Sequence, residues 1–224
     1  EPSPQRYGQR YVAAWETRNL RMVANVRATF RDRPGALYGV LEPLAREHVP
    51  ALQHACADGD LWKLWYASVP TPDDMQAYVD RALAMQAAGS SLPFVVRRKT
   101  SGDIVGCTRL YEADADQRQL KIGYTWYAAS VQRSAVNTEC KWLLLCHAFD
   151  VLECIRVAWC THWLNHRSRA AIERLGAKQE GVLRNHRILP DGSYRDTVMY
   201  SVIESEWPAV KRHLAFKLER NDKT

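Results

Sequence analysis

The chain has 224 residues, enough for one domain with a real core, and its 46% hydrophobic and 25% charged residues are ordinary for a folded globular protein. No apolar run approaches the ~18 residues of a membrane span, and the opening EPSPQRYGQR lacks a signal-peptide core, so the expected compartment is the cytoplasm. The formal charge of +6 belongs to the two ends: residues 1–33 carry seven Lys/Arg against three Asp/Glu, and 207–224 five against two. A near-neutral body with basic ends argues for solvated tails and against a nucleic-acid-binding face.

Residues 1–33 are polar and Arg-rich, with helical periodicity through Tyr11, Val12, Trp15, Leu20, Val23 and Val26. An appended helix is expected there, docking on the body or on a second copy of the chain, which leaves a homodimer open. Arg33-Pro34-Gly35 breaks it. Ala36 to Leu44 reads as a first strand and Arg46 to Ala57 as a short helix stopped by Gly59. Leu61 to Val69 is rich in rings (Trp62, Trp65, Tyr66), as either a pocket mouth or a loop pinned by its aromatics. Thr71-Pro72-Asp73-Asp74 starts a helix that runs to Ala88 and stops at Gly89. Leu92 to Arg98 and Ile104 to Glu112 form a hairpin about Thr100-Ser101-Gly102-Asp103. A polar turn, Ala113 to Arg118, leads to a third strand of this meander.

Two strand-helix units follow. Ile122 to Tyr127 is strand material, Ala128 to Ala135 a turn, and the next helix shows Trp142, Leu145, Phe149 and Leu152 on one face. Ile155 to His162 is the next strand, and Asn165 to Leu175 a helix closed by Gly176. A crossover of this length makes the two strands parallel neighbours, with a ligand expected at their C-terminal ends. Ala177 to Leu189 and Tyr194 to Ile203 form a closing hairpin, and Glu206-Trp207-Pro208 opens a last short helix. The fold class is α/β (α+β): a mixed, mostly antiparallel sheet with one parallel crossover and helices on both faces. The expected organisation is an extension over 1–33, a single domain over 34–210 and a basic tail over 211–224.

The six cysteines include no Cys-x-x-Cys pair and sit among apolar neighbours, so they are expected as reduced core thiols without a metal. His54 near Cys56 and His162 near Cys160 are weak candidates for a metal site.

Three stretches, IGYTWYAASVQ, NHRSRAAIERLGAKQEGVLR and DG-x-x-RDTVMYS followed by EW, carry a resemblance over about Tyr38 to Val210. The chain resembles the GCN5-related N-acetyltransferase (GNAT) superfamily, in its RimJ/RimL-type branch, which acetylates N-terminal amines of ribosomal proteins. The resemblance implies acetyl-CoA as co-substrate and a primary amine as acceptor, with no metal, membrane or nucleic acid. It also implies a Gln/Arg-x-x-Gly-x-Gly/Ala loop whose backbone N–H groups bind the coenzyme A pyrophosphate. This chain has Gln132, Arg133, Ser134, Ala135, Val136, Asn137 and Thr138 there, with Ala135 and Asn137 where glycine is usual. Asn137 is a candidate for an unusual φ or for a cap. A backbone N–H around Trp126, Tyr127 and Ala128 is implied to polarise the thioester carbonyl, Asn165 to hold the pantetheine arm, and Ser168 to protonate the leaving thiolate.

The base is harder to place. The branch often carries Glu just before the Ile-Gly-Tyr residues, where this chain has Lys121. Another family Glu falls in the region of Asn185, His186 and Arg187, so His186 is a candidate, with Glu139 and Glu180 behind it. Two readings follow: an N-acetyltransferase working by direct attack in a ternary complex, or a non-catalytic acyl-CoA-binding module.

Overall fold

The computed structural model describes residues 38–221, so the helix expected within 1–33 lies outside the described residues. One sheet holds β1 (Gly39–Pro43), β2 (Ser91–Arg98), β3 (Ile104–Asp114), β4 (Gln119–Tyr127), β5 (Arg156–His162), β6 (Lys178–Ile188) and β7 (Tyr194–Ile203). Their order across it is β1-β2-β3-β4-β5-β7-β6. Every neighbouring pair is antiparallel except β4 and β5, which run parallel. The helices are α1 (Val49–Ala57), α2 (Met75–Ala87), α3 (Ala135–Cys146), α4 (His166–Arg174) and α5 (Trp207–Asn221).

Side-chain alternation along β3 sorts these helices between two faces. Cys107 and Arg109 point to α2, where the Tyr78 hydroxyl lies 3.2 Å from Cys107 Sγ and the Tyr78 ring 4.6 Å from the Arg109 guanidinium. Thr108 points the other way, to Lys141 of α3. Arg169 and Glu173 of α4 both bond the Tyr200 hydroxyl on β7, joining that helix to the α3 side. Covered on both faces, β3 is buried from Ile104 through Tyr111.

Local chemistry sets several ends as the sequence indicates. The Thr71 hydroxyl accepts the Asp74 N–H at 3.1 Å ahead of α2. Gly176, at φ +99°, ends α4, and a Cβ there would stand 3.1 Å from Val210 of α5.

Two expectations change. The helix expected to bury one face is buried nearly all round, at Val136, Cys140, Leu143, Leu144 and Leu145, because α3 is wedged between the sheet and α5. Trp142 and Leu152 stay half-buried. A π turn at His147–Val151 shifts the helical phase, and Phe149 stacks on Trp207 with ring centres 5.0 Å apart. The basic tail expected over 211–224 is, as far as Asn221, the continuation of α5, a helix of 15 residues. Val210, Leu214 and Leu218 fall at helical spacing and are buried, while Trp207 Nε1 and Lys211 Nζ both bond Asp150 at 2.7 Å.

Leu214 is fully buried and Arg212 exposed. Leu214→Ala should therefore cost about 2–5 kcal/mol in urea unfolding, whereas Arg212→Ala should stay within about 0.5 kcal/mol of wild type. Equal effects would mean that α5 does not pack as described.

Candidate active site

β4 and β5 pair over three positions only, Gln119 with Arg156, Leu120 with Val157 and Lys121 with Ala158. Beyond them β4 runs on to Tyr127 and β5 to His162 without a shared bond, so the sheet opens at the C-terminal ends of its parallel strands. β3 stays bonded to β4 through this stretch, pairing Gly106 with Tyr127, and Ala128 N–H donates to Val105 O at 2.8 Å. Alternation then turns the Tyr127 N–H away from β3 and into the opening. Of the implied set Trp126, Tyr127 and Ala128, the Ala128 N–H is taken by β3. The Trp126 and Tyr127 side chains are buried, so these residues can offer a ligand their backbone only.

A bulge opens the gap. Tyr124 has φ +51°, and the β3–β4 register shifts between Cys107 and Arg109. On the α3 face Lys141 Nζ donates to Thr108 Oγ1 at 2.7 Å and to Thr125 Oγ1 at 2.8 Å, tying the bulged strand to its neighbour. Burial pushes the Lys141 ammonium down to about 8. Gly106 is required by close approach, since a Cβ there would lie 2.2 Å from Trp126 O. On the other face a Cβ at Gly123 would stand 2.7 Å from Tyr111 Cε1. Glycine therefore lets that ring cross β4 until its hydroxyl is 3.2 Å from Cys160 Sγ on β5.

The loop after β4 leads straight into the α3 N-terminus. Gln132 Nε2 donates back to Tyr127 O at 3.0 Å. Ser134, not Asn137, is the N-cap: its hydroxyl accepts the Val136 N–H and donates to Val131 O. The left-handed residue is Arg133, at φ +63°, so neither Ala135 nor Asn137 needs the freedom of glycine. α-Helical geometry leaves the N–H groups of Ser134, Ala135, Val136 and Asn137 without backbone acceptors in the helix; the cap takes that of Val136, and those of Ser134, Ala135 and Asn137 stay open. Thr138 N–H is the first to find such an acceptor, so an anion cradle ends at Asn137, one residue short of the expected range. Asp58 closes the loop from below, accepting the Ser130 N–H, and a Cβ on Gly59 would strike Ala129 at 2.4 Å.

Asn165 and Ser168 stand three residues apart at the start of α4. Asn165 is the N-cap, and its Oδ1 accepts the Ser168 N–H at 3.0 Å, which leaves its amide NH2 as donor. Ser168 is half-buried.

The α1/α2 face of the opening is walled by rings. Trp65 packs edge-on against His162 at 5.1 Å, so the aromatic loop reaches the end of β5. His162 is buried and its Nδ1 accepts the Leu164 N–H, which leaves the proton of the neutral ring on Nε2. Burial lowers its pKa, as does Arg195, against an opposing effect of Asp196. His186, exposed on β6, has Nδ1 3.0 Å from Thr197 Oγ1, which also accepts Arg195 Nε at 3.1 Å. His162 pairs with Thr197 across the sheet, so His186 does belong to this face.

The other base candidates are engaged elsewhere. Glu139 is buried and accepts the Tyr38 and Gly39 N–H groups at 2.7 Å, tying β1 to α3. Glu180 is clamped by Arg156 and Ser201, with Arg156 holding its carboxyl below the usual range. Lys121 is bonded to Glu112. Among the described residues no three His, Cys, Asp or Glu side chains converge as a metal requires. His54 is exposed on α1 whereas Cys56 is buried, and Cys160 contacts Tyr111. No described helix is long and apolar enough to cross a membrane.

Known proteins resemble the chain at both levels. The acetyltransferase (GNAT) domain family matches residues 40–178. A Bacillus subtilis (strain 168) protein, YdaF, which carries the name ribosomal N-acetyltransferase, is 34% identical over 110 residues, covering 49% of this chain. That match spans 59% of the relative, less than two thirds of its length. A GCN5-related N-acetyltransferase from Brucella melitensis superposes with a TM-score of 0.73 at 31% identity, covering 83% of each chain. Mycobacterium smegmatis RimJ, solved with CoA-disulfide, shares the fold with a TM-score of 0.67 at 21% identity, over 80% of this chain and 88% of its own.

The buried lysine behind the opening has a pH signature. Unfolded, Lys141 titrates near its ordinary 10.5, and folded near 8. Between these values the unfolded chain holds the extra proton, so this group makes stability rise with pH from about 8 to 10.5. The difference in unfolding free energy between wild type and Lys141→Met should grow in favour of wild type across that window. A difference that is flat in pH would show that Lys141 is not buried in this way.

Proposed function

Because the chain belongs to the GNAT acetyltransferase family, we propose that it transfers an acetyl group from acetyl-CoA to a primary amine by direct attack in a ternary complex. The observation that carries this reading is the parting of β4 from β5 beside the α3 N-terminus. It gives one gap with an inward N–H at Tyr127 and a row of first-turn N–H groups. The residues fit an acyl thioester with a diphosphate: fixed donors line the gap, and the positive end of α3 suits the anion.

Bound acetyl-CoA would supply an acetyl group already activated as a thioester. The N–H groups of Ser134, Ala135 and Asn137 would hold its pyrophosphate, with Arg133 as a cation alongside. Gln132 keeps this loop against the end of β4. The free NH2 of Asn165 would donate to the pantetheine arm. Tyr127 N–H would face the negative charge that grows on the acetyl oxygen as the amine nitrogen attacks. The carbon–sulfur bond then breaks, and the Ser168 hydroxyl would deliver a proton to the departing sulfur.

The amine must arrive neutral. The carboxylates beside the opening are engaged, Glu112 by Lys121 and Asp196 by Arg184 and the Asn185 N–H. An α-amine with pKa near ~8 needs far less help than a lysine side chain near ~10.4. We therefore favour a protein or peptide N-terminus as acceptor, with His186 collecting its proton. A second reading, an acyl-CoA-binding module without turnover, rests on Lys121 standing where the branch often has Glu.

Calorimetry should detect acetyl-CoA binding, and Ala135→Asp, which sets a carboxylate beside the phosphates, should weaken it strongly in a folded variant. Unchanged affinity would mean the cradle lies elsewhere. Ser168→Ala should lower turnover, read as thiol release, by ~10²–10⁴-fold with acetyl-CoA affinity retained. Asn165→Ala should lower both affinity and turnover. Wild-type turnover in Ser168→Ala on a proven acceptor would remove serine as the acid.

A further inference from the structure

The β6–β7 hairpin runs on past the end of β5 and carries two arginines directly opposite each other. β7 pairs Thr197 with His162, the last residue of β5, and two residues further out it pairs Arg195 with Arg187 of β6. Opposed residues of an antiparallel pair point to the same side of the sheet, as do residues two apart on one strand. Arg187 and Arg195 therefore stand on the side of His162 and Trp65, about 7 Å beyond the end of β5 at roughly 3.4 Å per residue. A bulge fixes this register: β6 sets Arg184, Asn185 and His186 against the single Asp196 of β7, with Asn185 at φ +48°.

The pair is open and not neutralised. Arg187 is exposed and makes no hydrogen bond or ion pair among the described residues. Arg195 is half-buried; Thr197 Oγ1 takes its Nε hydrogen at 3.1 Å, and the terminal amino groups of its fork have no acceptor among the described residues. Burial holds the Arg195 guanidinium below its ordinary value, Cys160 opposes this, and Arg187 adds to it. The acids of the hairpin are engaged elsewhere: Glu180 with Arg156, Asp191 with Ser193, and Asp196 with Arg184 and the Asn185 N–H. Like charges set directly opposite destabilise a sheet, and an anion lying between them would relieve the repulsion. The planar guanidinium fork suits a carboxylate. His186 shares the Thr197 hydroxyl with Arg195, which ties the pair to the proposed proton acceptor.

We propose that Arg187 and Arg195 bind an acidic side chain of a polypeptide acceptor, within the first few residues after the amine. This rests on the acetyl-transfer reading for the place of the amine but not for the binding itself. Reach argues for a polypeptide: the pair lies outside the end of β5, a span that an extended chain covers in a few residues, whereas a free amino acid carries its carboxylate beside the nitrogen.

The test is calorimetric binding of two peptide amides, Ser-Asp-Glu-Ala and Ser-Asn-Gln-Ala, to the full chain with coenzyme A present. Thiol release from acetyl-CoA is measured in parallel. The acidic peptide should bind at least about tenfold tighter at low salt, with a ratio that shrinks as salt rises. Arg187→Gln should bring the ratio towards one while coenzyme A affinity holds, and Arg187→Lys should restore part of it. Arg195→Gln should act alike. Arg212→Gln, which removes the same charge from the outer side of α5, should leave the ratio as in wild type. Equal binding of the two peptides overturns the proposal, as does a ratio that survives Arg187→Gln or falls equally in Arg212→Gln. A carboxylate preference seen only for serine over serinamide would place the acid on a free amino acid and overturn it too. Discrimination between the peptides without any thiol release supports the subsite and sinks the acetyl-transfer reading instead.

Discussion

Three paired residues are all that hold β4 to β5, and the rest of the molecule is arranged around their parting. Parallel strands normally continue their ladder, and unpaired N–H groups inside a sheet are costly unless something else satisfies them. Here the divergence is fixed from both sides. β4 is bulged at Tyr124 and braced by Lys141 through the Thr108 and Thr125 hydroxyls. β5 stays in register with β7 to His162, so it cannot follow. The opening is therefore a rigid feature of the sheet and not of a loop. Its contents are backbone groups, whose positions do not depend on rotamers.

The two sides of the opening differ in chemistry. Towards α3 and α4 it presents helix N-termini, small residues and the amide of Asn165, a surface for a long, anionic, hydrogen-bonding ligand. Towards α1 and α2 it presents rings and an imidazole: Trp65, Tyr111, Tyr124 and His162. On the proposed reading donor and acceptor meet from opposite sides of the sheet, which suits a transfer without a covalent enzyme intermediate. The mostly antiparallel seven-stranded fold matches its structural relatives, and the family assignment accounts for that layout.

Much of this was legible in the residues. The alternation of period 2 with period 3.6 from Ile122 to Gly176 marks the parallel crossover, and Gly59, Gly89 and Gly176 do close the segments before them. The loop from Gln132 to Asn137 was placed by its flanks, although Arg133, not Asn137, takes the positive φ. Other features hide because they are three-dimensional. GYTW reads as an unbroken strand, and only the register with β3 reveals the bulge. Glu139 and Lys141 look like the polar face of an amphipathic helix, yet one ties down β1 and the other the bulge, because α3 is covered on every side. α5 was masked by its charge: Val210, Leu214 and Leu218 carry the helical spacing, but the basic residues between them suggest a tail.

The central claim is that the gap between β4 and β5 receives the thioester, with Tyr127 N–H at the acetyl oxygen and the first turn of α3 at the pyrophosphate. Backbone amide NMR with acetyl-CoA added stepwise tests it most directly. The account predicts large shifts and exchange protection at Tyr127 and from Ser134 to Asn137, with the amides of Arg212 and Phe216 on the outer side of α5 unmoved. Shifts confined to α5, or saturation of acetyl-CoA binding with Tyr127 and Ala135 unperturbed, would contradict it.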